Sequence, residues 1–141
     1  MSNVRELGPG EEGLAAAALR ELRPHLGDPA AAAAALRPDG YRLLAAFAAG
    51  EEQAAAVAGF RVLRMLAHGT FLYVDDLVTV RAHRGAGHAT ALLRALDAHA
   101  REAGCAALHL DSGVGPERQA AHRRYFGHGM RIASYHFTKP L

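Results

Sequence analysis

The chain has 141 residues, half of them hydrophobic but only 6% aromatic, and a formal net charge of +2. That length suits one domain with a proper core. Its arginines are scattered among acids, which speaks against a nucleic-acid footprint. No apolar run reaches membrane-spanning length and no signal-like stretch follows Met1. The single cysteine, Cys105, excludes an internal disulfide, so a soluble, cytoplasmic protein is the expectation.

In chain order, Asn3–Leu7 is expected as a short strand stopped by Gly8-Pro9-Gly10. Glu11–Leu26 reads as a helix, with acids in its first turn and Leu14, Ala18, Leu22 and His25 on one face. Asp28-Pro29 is a second helix start, with Asp28 as N-cap and Pro29 at the first position. The alanine run after it is helix-forming rather than a linker. Tyr41–Phe47, Ala55–Leu66 and Thr70–Val80 read as strands joined by hairpin-length turns, hence antiparallel neighbours. Gly59 interrupts the second of them and marks a bulge or a close backbone approach. Gly87–Ala103 is a long helix stopped by Gly104. Ala106–Asp111 is a strand parallel to the one before the helix, through a right-handed crossover. A last helix starts at Pro116 or Glu117 and ends around Gly127-His128-Gly129, and Ile132–Thr138 is expected as a final strand. The fold class is α/β: one domain over residues 1–141, with a mixed, mainly antiparallel sheet flanked by helices.

The stretch with the most chemical content is Arg84-Gly85-Ala86-Gly87-His88-Ala89-Thr90. It lies where the apolar run Leu77-Val78-Thr79-Val80 hands over to a helix. Two glycines let the backbone approach a ligand closely. The first amides of the helix have no internal partner, and with the helix dipole behind them they suit phosphate oxygens. Arg84 adds a matching charge. No Gly-Lys-Ser/Thr follows, so this is not a Walker loop, and Thr90 stands where a dinucleotide fingerprint needs glycine.

The spacing Arg-Gly-x-Gly-x-Ala resembles the coenzyme A pyrophosphate loop of the GCN5-related N-acetyltransferase family. The segment Ala121-His122-Arg123-Arg124-Tyr125-Phe126-Gly127-His128-Gly129-Met130 is similar to the family's Ala-x-x-x-Tyr-x-x-x-Gly-Phe, with Met130 in place of Phe. The succession of elements also matches, over nearly the whole chain. The resemblance implies a splayed strand pair that holds the coenzyme. Backbone groups of Leu77, Val78 and Thr79 would pair with the pantetheine arm, and the amides from Gly85 to Thr90 would hold the pyrophosphate. It also implies that Tyr125 protonates the leaving thiolate, a role that a positioned O–H can fill. The family often has a coenzyme-contacting asparagine seven residues before that tyrosine; here the position is Arg118. His88 itself is expected to be solvated.

Asp75-Asp76 breaks the alternation of the most β-prone strand, so at least one of the two faces inward or lies at a bulge. A buried carboxylate needs a partner. Tyr73-x-acid-Asp, eight residues from the Asp to Arg84, resembles the polyamine branch of the family, where such a pair serves the amine. An alkylamine with a pKa of about 10 must lose a proton before it attacks, and Asp75 and Asp76, along with Tyr73, are the candidates to serve this step. The other reading of the pair is an ion pair with nearby arginines. Cys105 reads as a packed thiol, and the histidines have no zinc spacing, so no metal is expected.

The resulting expectation is an N-acetyltransferase that moves an acetyl group from acetyl-CoA to an amine, small-molecule or protein-borne, in a ternary complex. The rival from another class is a non-catalytic acyl-CoA-binding or sensor module on the same fold. A homodimer through a sheet edge at His136-Phe137-Thr138 is a further expectation.

Overall fold

A computed structural model of the protein describes residues 3–141. The chain forms two compact units, Met1–Leu110 and Asp111–Leu141. The first carries a 5-stranded sheet in the order β1-β2-β3-β4-β5. Its strands are β1 (Asn3–Leu7), β2 (Arg42–Phe47), β3 (Ala56–Met65), β4 (Gly69–Thr79) and β5 (Leu108–Leu110). The first four are mutually antiparallel, and β4–β5 is parallel. The sheet is thus mixed and mainly antiparallel.

Helices cover both faces. On one, Leu7, Leu43, Val57 and Val78 meet Ala18 and Leu19 of α1 (Ala16–Leu22) and Ala33 of α2 (Pro29–Ala35). On the other, Leu44, Ala58, Phe60, Leu72 and Val74 meet Leu92, Leu93, Leu96 and Ala100 of α3 (His88–Glu102). This explains why β2 reads as an unbroken apolar run: it is buried from both sides. Each fully buried leucine of α3 contributes about 1.5–3 kcal/mol.

The caps follow the sequence. Asp28 accepts from the Ala31 N–H at 3.1 Å, with Pro29 at the first helical position. The first helix is shorter than expected: a 3-10 turn over Glu12–Ala15 runs into α1, which ends at Leu22 rather than Leu26. Pro24 is the cause, because it disfavours α geometry at the preceding residue, and Arg23 sits at φ −124°, ψ 68°. Arg23 thereby leaves the helix with its side chain directed at the sheet.

Glu12 and Arg37 tie the start of this layer together. Arg37 Nε donates to Glu12 Oε1 at 2.6 Å, and its Nη2 donates to the carbonyls of Leu7 and Gly8. The Gly10 N–H donates to Glu12 Oε2.

In the second unit, a 3-10 turn over Pro116–Arg118 leads into α4 (Gln119–Gly127). His122 Nε2 lies 3.0 Å from Ser112 Oγ and 2.8 Å from the Gly113 carbonyl, which pins the preceding loop to the helix. The strand expected at Ile132–Thr138 does not form; these residues are exposed and irregular. Strand propensity describes the fit to a neighbouring strand, and this segment joins no ladder among the described residues. The sheet edge expected at His136-Phe137-Thr138 is therefore absent, and β5 ends the sheet.

The Arg37 contact holds the Glu12 carboxyl below the ordinary carboxylate range. A depressed folded-state pKa contributes stability above the unfolded pKa and loses it as pH falls through the folded value. Glu12→Gln should therefore cost about 1–3 kcal/mol at neutral pH, with the difference from wild type shrinking below about pH 4. Urea unfolding at several pH values checks this.

Candidate functional site

The register of β3 against β4 shifts between Gly59 and Phe60: Gly59 pairs with Asp76, and Phe60 with Val74. Asp75 is the extra residue of a β-bulge. The bulge explains the adjacent acids, because it places both carboxylates on the face covered by α1 and α2. Asp75 accepts two bonds from Arg61, with Nη2 to Oδ1 at 2.7 Å and Nε to Oδ2 at 2.9 Å. Asp76 accepts from the Tyr41 O–H at 2.7 Å and from Arg23 Nε at 3.0 Å. Arg23 Nη2 also donates to the Asp75 carbonyl at 3.2 Å. Arg61 lies over the Tyr73 ring, 5.8 Å from its centroid. Both acids thus have guanidinium partners from within the chain.

Tyr41 is only 4% exposed. Its burial, with Asp76 beside it, pushes the phenol well above its usual range, so it remains a donor. The ring lies directly against Gly59, where any Cβ would overlap it. The glycine signals a bulge on one side and a close approach on the other.

The bulge also sets which backbone groups of β4 face outward. The Val80 N–H donates to the Ala55 carbonyl at 2.9 Å. Bonded pairs alternate along an antiparallel ladder, so Val78 and Asp76 bond towards β3 while Leu77 and Thr79 face the other edge. β5 lines that edge only along Leu72–Val74. Beyond Val74 no strand of the sheet accompanies it. Of the expected trio, Leu77 and Thr79 offer backbone groups there, whereas Val78 turns its own to β3 and its side chain into the core.

After Thr79 a 3-10 turn over Arg81–His83 leads to the glycine loop. The Arg81 N–H is held by the Glu21 carboxylate. Gly85 and Gly87 adopt φ 83° and 86°, a region glycine enters without steric cost, and the space beside each is open. Gly87 is the N-cap of α3, and no side chain caps the helix. Arg84 is exposed, and its Nε lies 3.3 Å from the Thr79 carbonyl. Ala89 is buried and Thr90 exposed.

His88 corrects its expectation: it is 6% exposed, not solvated. It stands four residues before Leu92 and eight before Leu96, so it falls on the buried stripe of α3. Burial lowers its pKa, and its ring meets that of His83 edge-on at 6.0 Å. Cys105 packs against the α3 side of the core, where burial raises its thiol pKa.

Tyr125 is half-buried in α4, and its carbonyl accepts from the N–H groups of His128 and Met130, closing the helix. Arg118 is the N-cap residue of the same helix. Among the described residues no group of acids, histidines and cysteine has the arrangement of a metal site. No helix is long and apolar enough to cross a membrane.

The family model for the acetyltransferase (GNAT) family matches residues 12–130. The chain belongs to that family. It is accordingly an acetyltransferase by class. Solved structures share the fold over the full length. An aminoglycoside acetyltransferase from an uncultured soil metagenomic sample is 24% identical, with TM-score 0.79 and coverage of 100% of this chain and 99% of that one. A ribosomal-protein-alanine N-acetyltransferase from Brucella melitensis is 20% identical, with TM-score 0.80 and coverage of 100% and 99%. An aminoglycoside N-acetyltransferase in complex with CoA is 17% identical, with TM-score 0.80 and coverage of 100% and 95%. No curated protein matches the sequence.

Arg23, Tyr41 and Arg61 were not among the sequence candidates. A signal existed for two of them. Arg23 precedes the proline that ends its helix, and Tyr41 lies diagonal to Gly59 once Leu43 is paired with it. Arg61 was indistinguishable from any exposed strand arginine.

Proposed function

We propose that this GNAT protein, as one domain over residues 1–141, transfers the acetyl group of acetyl-CoA to an amine, by direct attack in a ternary complex. The observation that carries the reading is the succession of two features: an outward-facing stretch of β4 backbone is followed, after one 3-10 turn, by a glycine loop at the bare start of α3. A long, thin ligand with an amide-bearing arm and a pyrophosphate fits that order.

In this reading Gly85, Ala86, Gly87, His88, Ala89 and Thr90 offer backbone N–H groups to the pyrophosphate, with Arg84 as counter-charge. Leu77 and Thr79 bond the pantetheine arm, and the Leu77 amide polarises the thioester carbonyl as negative charge develops. The neutral amine adds to that carbonyl, the carbon–sulfur bond breaks, Tyr125 gives its proton to the departing thiolate, and the proton that the acylated nitrogen sheds restores the phenol. Asp75 and Asp76 take the proton of the incoming ammonium through water. Since Arg23 and Arg61 already balance their charge, the pair by itself does not select a cationic acceptor. The acceptor is stated as an amine, on a small molecule or a protein. Two structural neighbours are named for aminoglycosides and one for a ribosomal protein's alanine. A cytoplasmic location and a homodimer, no longer through Ile132–Thr138, complete the reading.

The experiment is coenzyme release from acetyl-CoA over a panel of amines; binding without turnover on any of them would favour the sensor alternative. Gly87→Val should weaken coenzyme A at least about tenfold in calorimetric titration, because a branched side chain is strained at φ 86° and fills the approach. Melting of the variant reports whether the domain remains folded. Tyr125→Phe should lower turnover on the order of 100-fold with little change in acetyl-CoA affinity. Full turnover with chemistry rate-limiting removes Tyr125 from the mechanism. For the acids, Asp75→Asn and Asp76→Asn should each lower kcat/KM and give a pH–rate profile that differs from that of wild type. Identical profiles would make the pair purely structural.

A further inference from the structure

A strand that slips by one residue exchanges its inner and outer backbone groups. The bulge at Asp75 is such a slip, fixed in place. With it, Leu77 and Thr79 face the open edge of β4; without it, their neighbours would. Something must hold the extra residue where it is, because a bulge gives up ladder bonds locally.

Three elements converge on that position. Arg23, just past the end of α1, donates to the Asp75 carbonyl at 3.2 Å and to Asp76 Oδ1 at 3.0 Å. Tyr41, the residue before β2, donates to Asp76 Oδ2 at 2.7 Å. Gly59 of β3 pairs with Asp76 and leaves room for the Tyr41 ring. The two oxygens of one carboxylate are thus held by the residue that follows α1 and the residue that precedes β2, and the same arginine satisfies the carbonyl of the bulged residue. Arg61, by contrast, grips only the Asp75 side chain.

We infer that Arg23 and Tyr41, acting through Asp76, are positioning residues that fix the phase of the open β4 edge, and hence the Leu77 and Thr79 backbone groups that meet the pantetheine arm. This rests on the coenzyme reading above. The hydrogen bonds of both residues go to Asp75 and Asp76 and not to residues 84–90, so the clamp acts on the arm and not on the pyrophosphate.

That separation gives the test. Two ligands are titrated calorimetrically into wild type, Tyr41→Phe, Arg23→Ala and Arg23→Lys: coenzyme A, and 3′-phosphoadenosine 5′-diphosphate, which lacks the arm. In wild type, coenzyme A should bind more tightly by the contribution of the arm. Tyr41→Phe keeps the ring and loses only the O–H; it and Arg23→Ala should each shrink that advantage by about tenfold, as expected for losing a charge-assisted hydrogen bond. The affinity of the fragment should stay within about twofold. Arg23→Lys keeps the charge without the forked reach and should fall between. The double variant Tyr41→Phe/Arg23→Ala should be less than additive, since both act on one carboxylate. An undiminished advantage in both single variants overturns the inference. So does an equal weakening of both ligands, which marks a general loss of fold. If wild type binds the two ligands equally, the arm is not held at this edge, and the coenzyme reading falls first.

Discussion

A strand has two faces and two edges, and β4 uses all four differently. One edge is paired with β3 along its length. One face packs against α3 through Leu72, Val74 and Leu77, and the other against α1 and α2 through Val78. The last edge is paired with β5 only as far as Val74, and among the described residues no strand pairs with it thereafter. Side-chain and backbone directions are tied together along a strand, so satisfying the two cores also decides which amides face outward. The bulge at Asp75 lets both requirements hold at once: it resets the phase midway, after the part of the strand that β5 covers.

The open edge and the glycine loop are consecutive in the chain, and this shapes the site. Thr79 ends the strand, a short turn held by Glu21 reverses direction, and α3 begins at Gly87. Its buried stripe, from His88 through Leu92 to Leu96, anchors the helix on the sheet. The exposed start of α3 is thus held in a fixed relation to the strand edge by hydrophobic packing. His88 lies buried in the first turn of this helix, and that burial lowers its pKa.

Much of this was legible in the sequence wherever a local rule was also the rule that decided the outcome. Asp28-Pro29 caps α2 because capping is local. Gly85 and Gly87 take positive φ because only their own backbones must be satisfied. The alternation broken by Asp75-Asp76 signalled a bulge correctly, because period two is a property of one strand. The misses lie where partners decide. His88 looked polar and terminal, yet its spacing to Leu92 put it in the core. Ile132–Thr138 has the composition of a strand but forms none. Arg23 and Arg61 became the counter-ions of the acid pair through contacts 53 and 14 residues away in sequence, which no local pattern carries. Tyr125 is placed by the sequence on a helix, and its role still rests on the motif around it.

Those arginines change what the acid pair can mean for the acceptor. A lone pair of carboxylates on a cleft wall would attract any cationic amine. Two carboxylates bound to two guanidinium groups present little net charge, and their oxygens are largely committed as acceptors. An ammonium that displaced Arg23 would break two bonds to the bulge as it formed its own, since the same arginine holds the Asp75 carbonyl. It would therefore loosen β4 at its bulge, the strand that the proposed reaction relies on to orient the thioester. The proposed reaction is therefore compatible with an acceptor that arrives beside the pair and leaves Arg23 in place, its proton passing through water. Discrimination among amines is then assigned to the surfaces around the bulge rather than to the acids themselves.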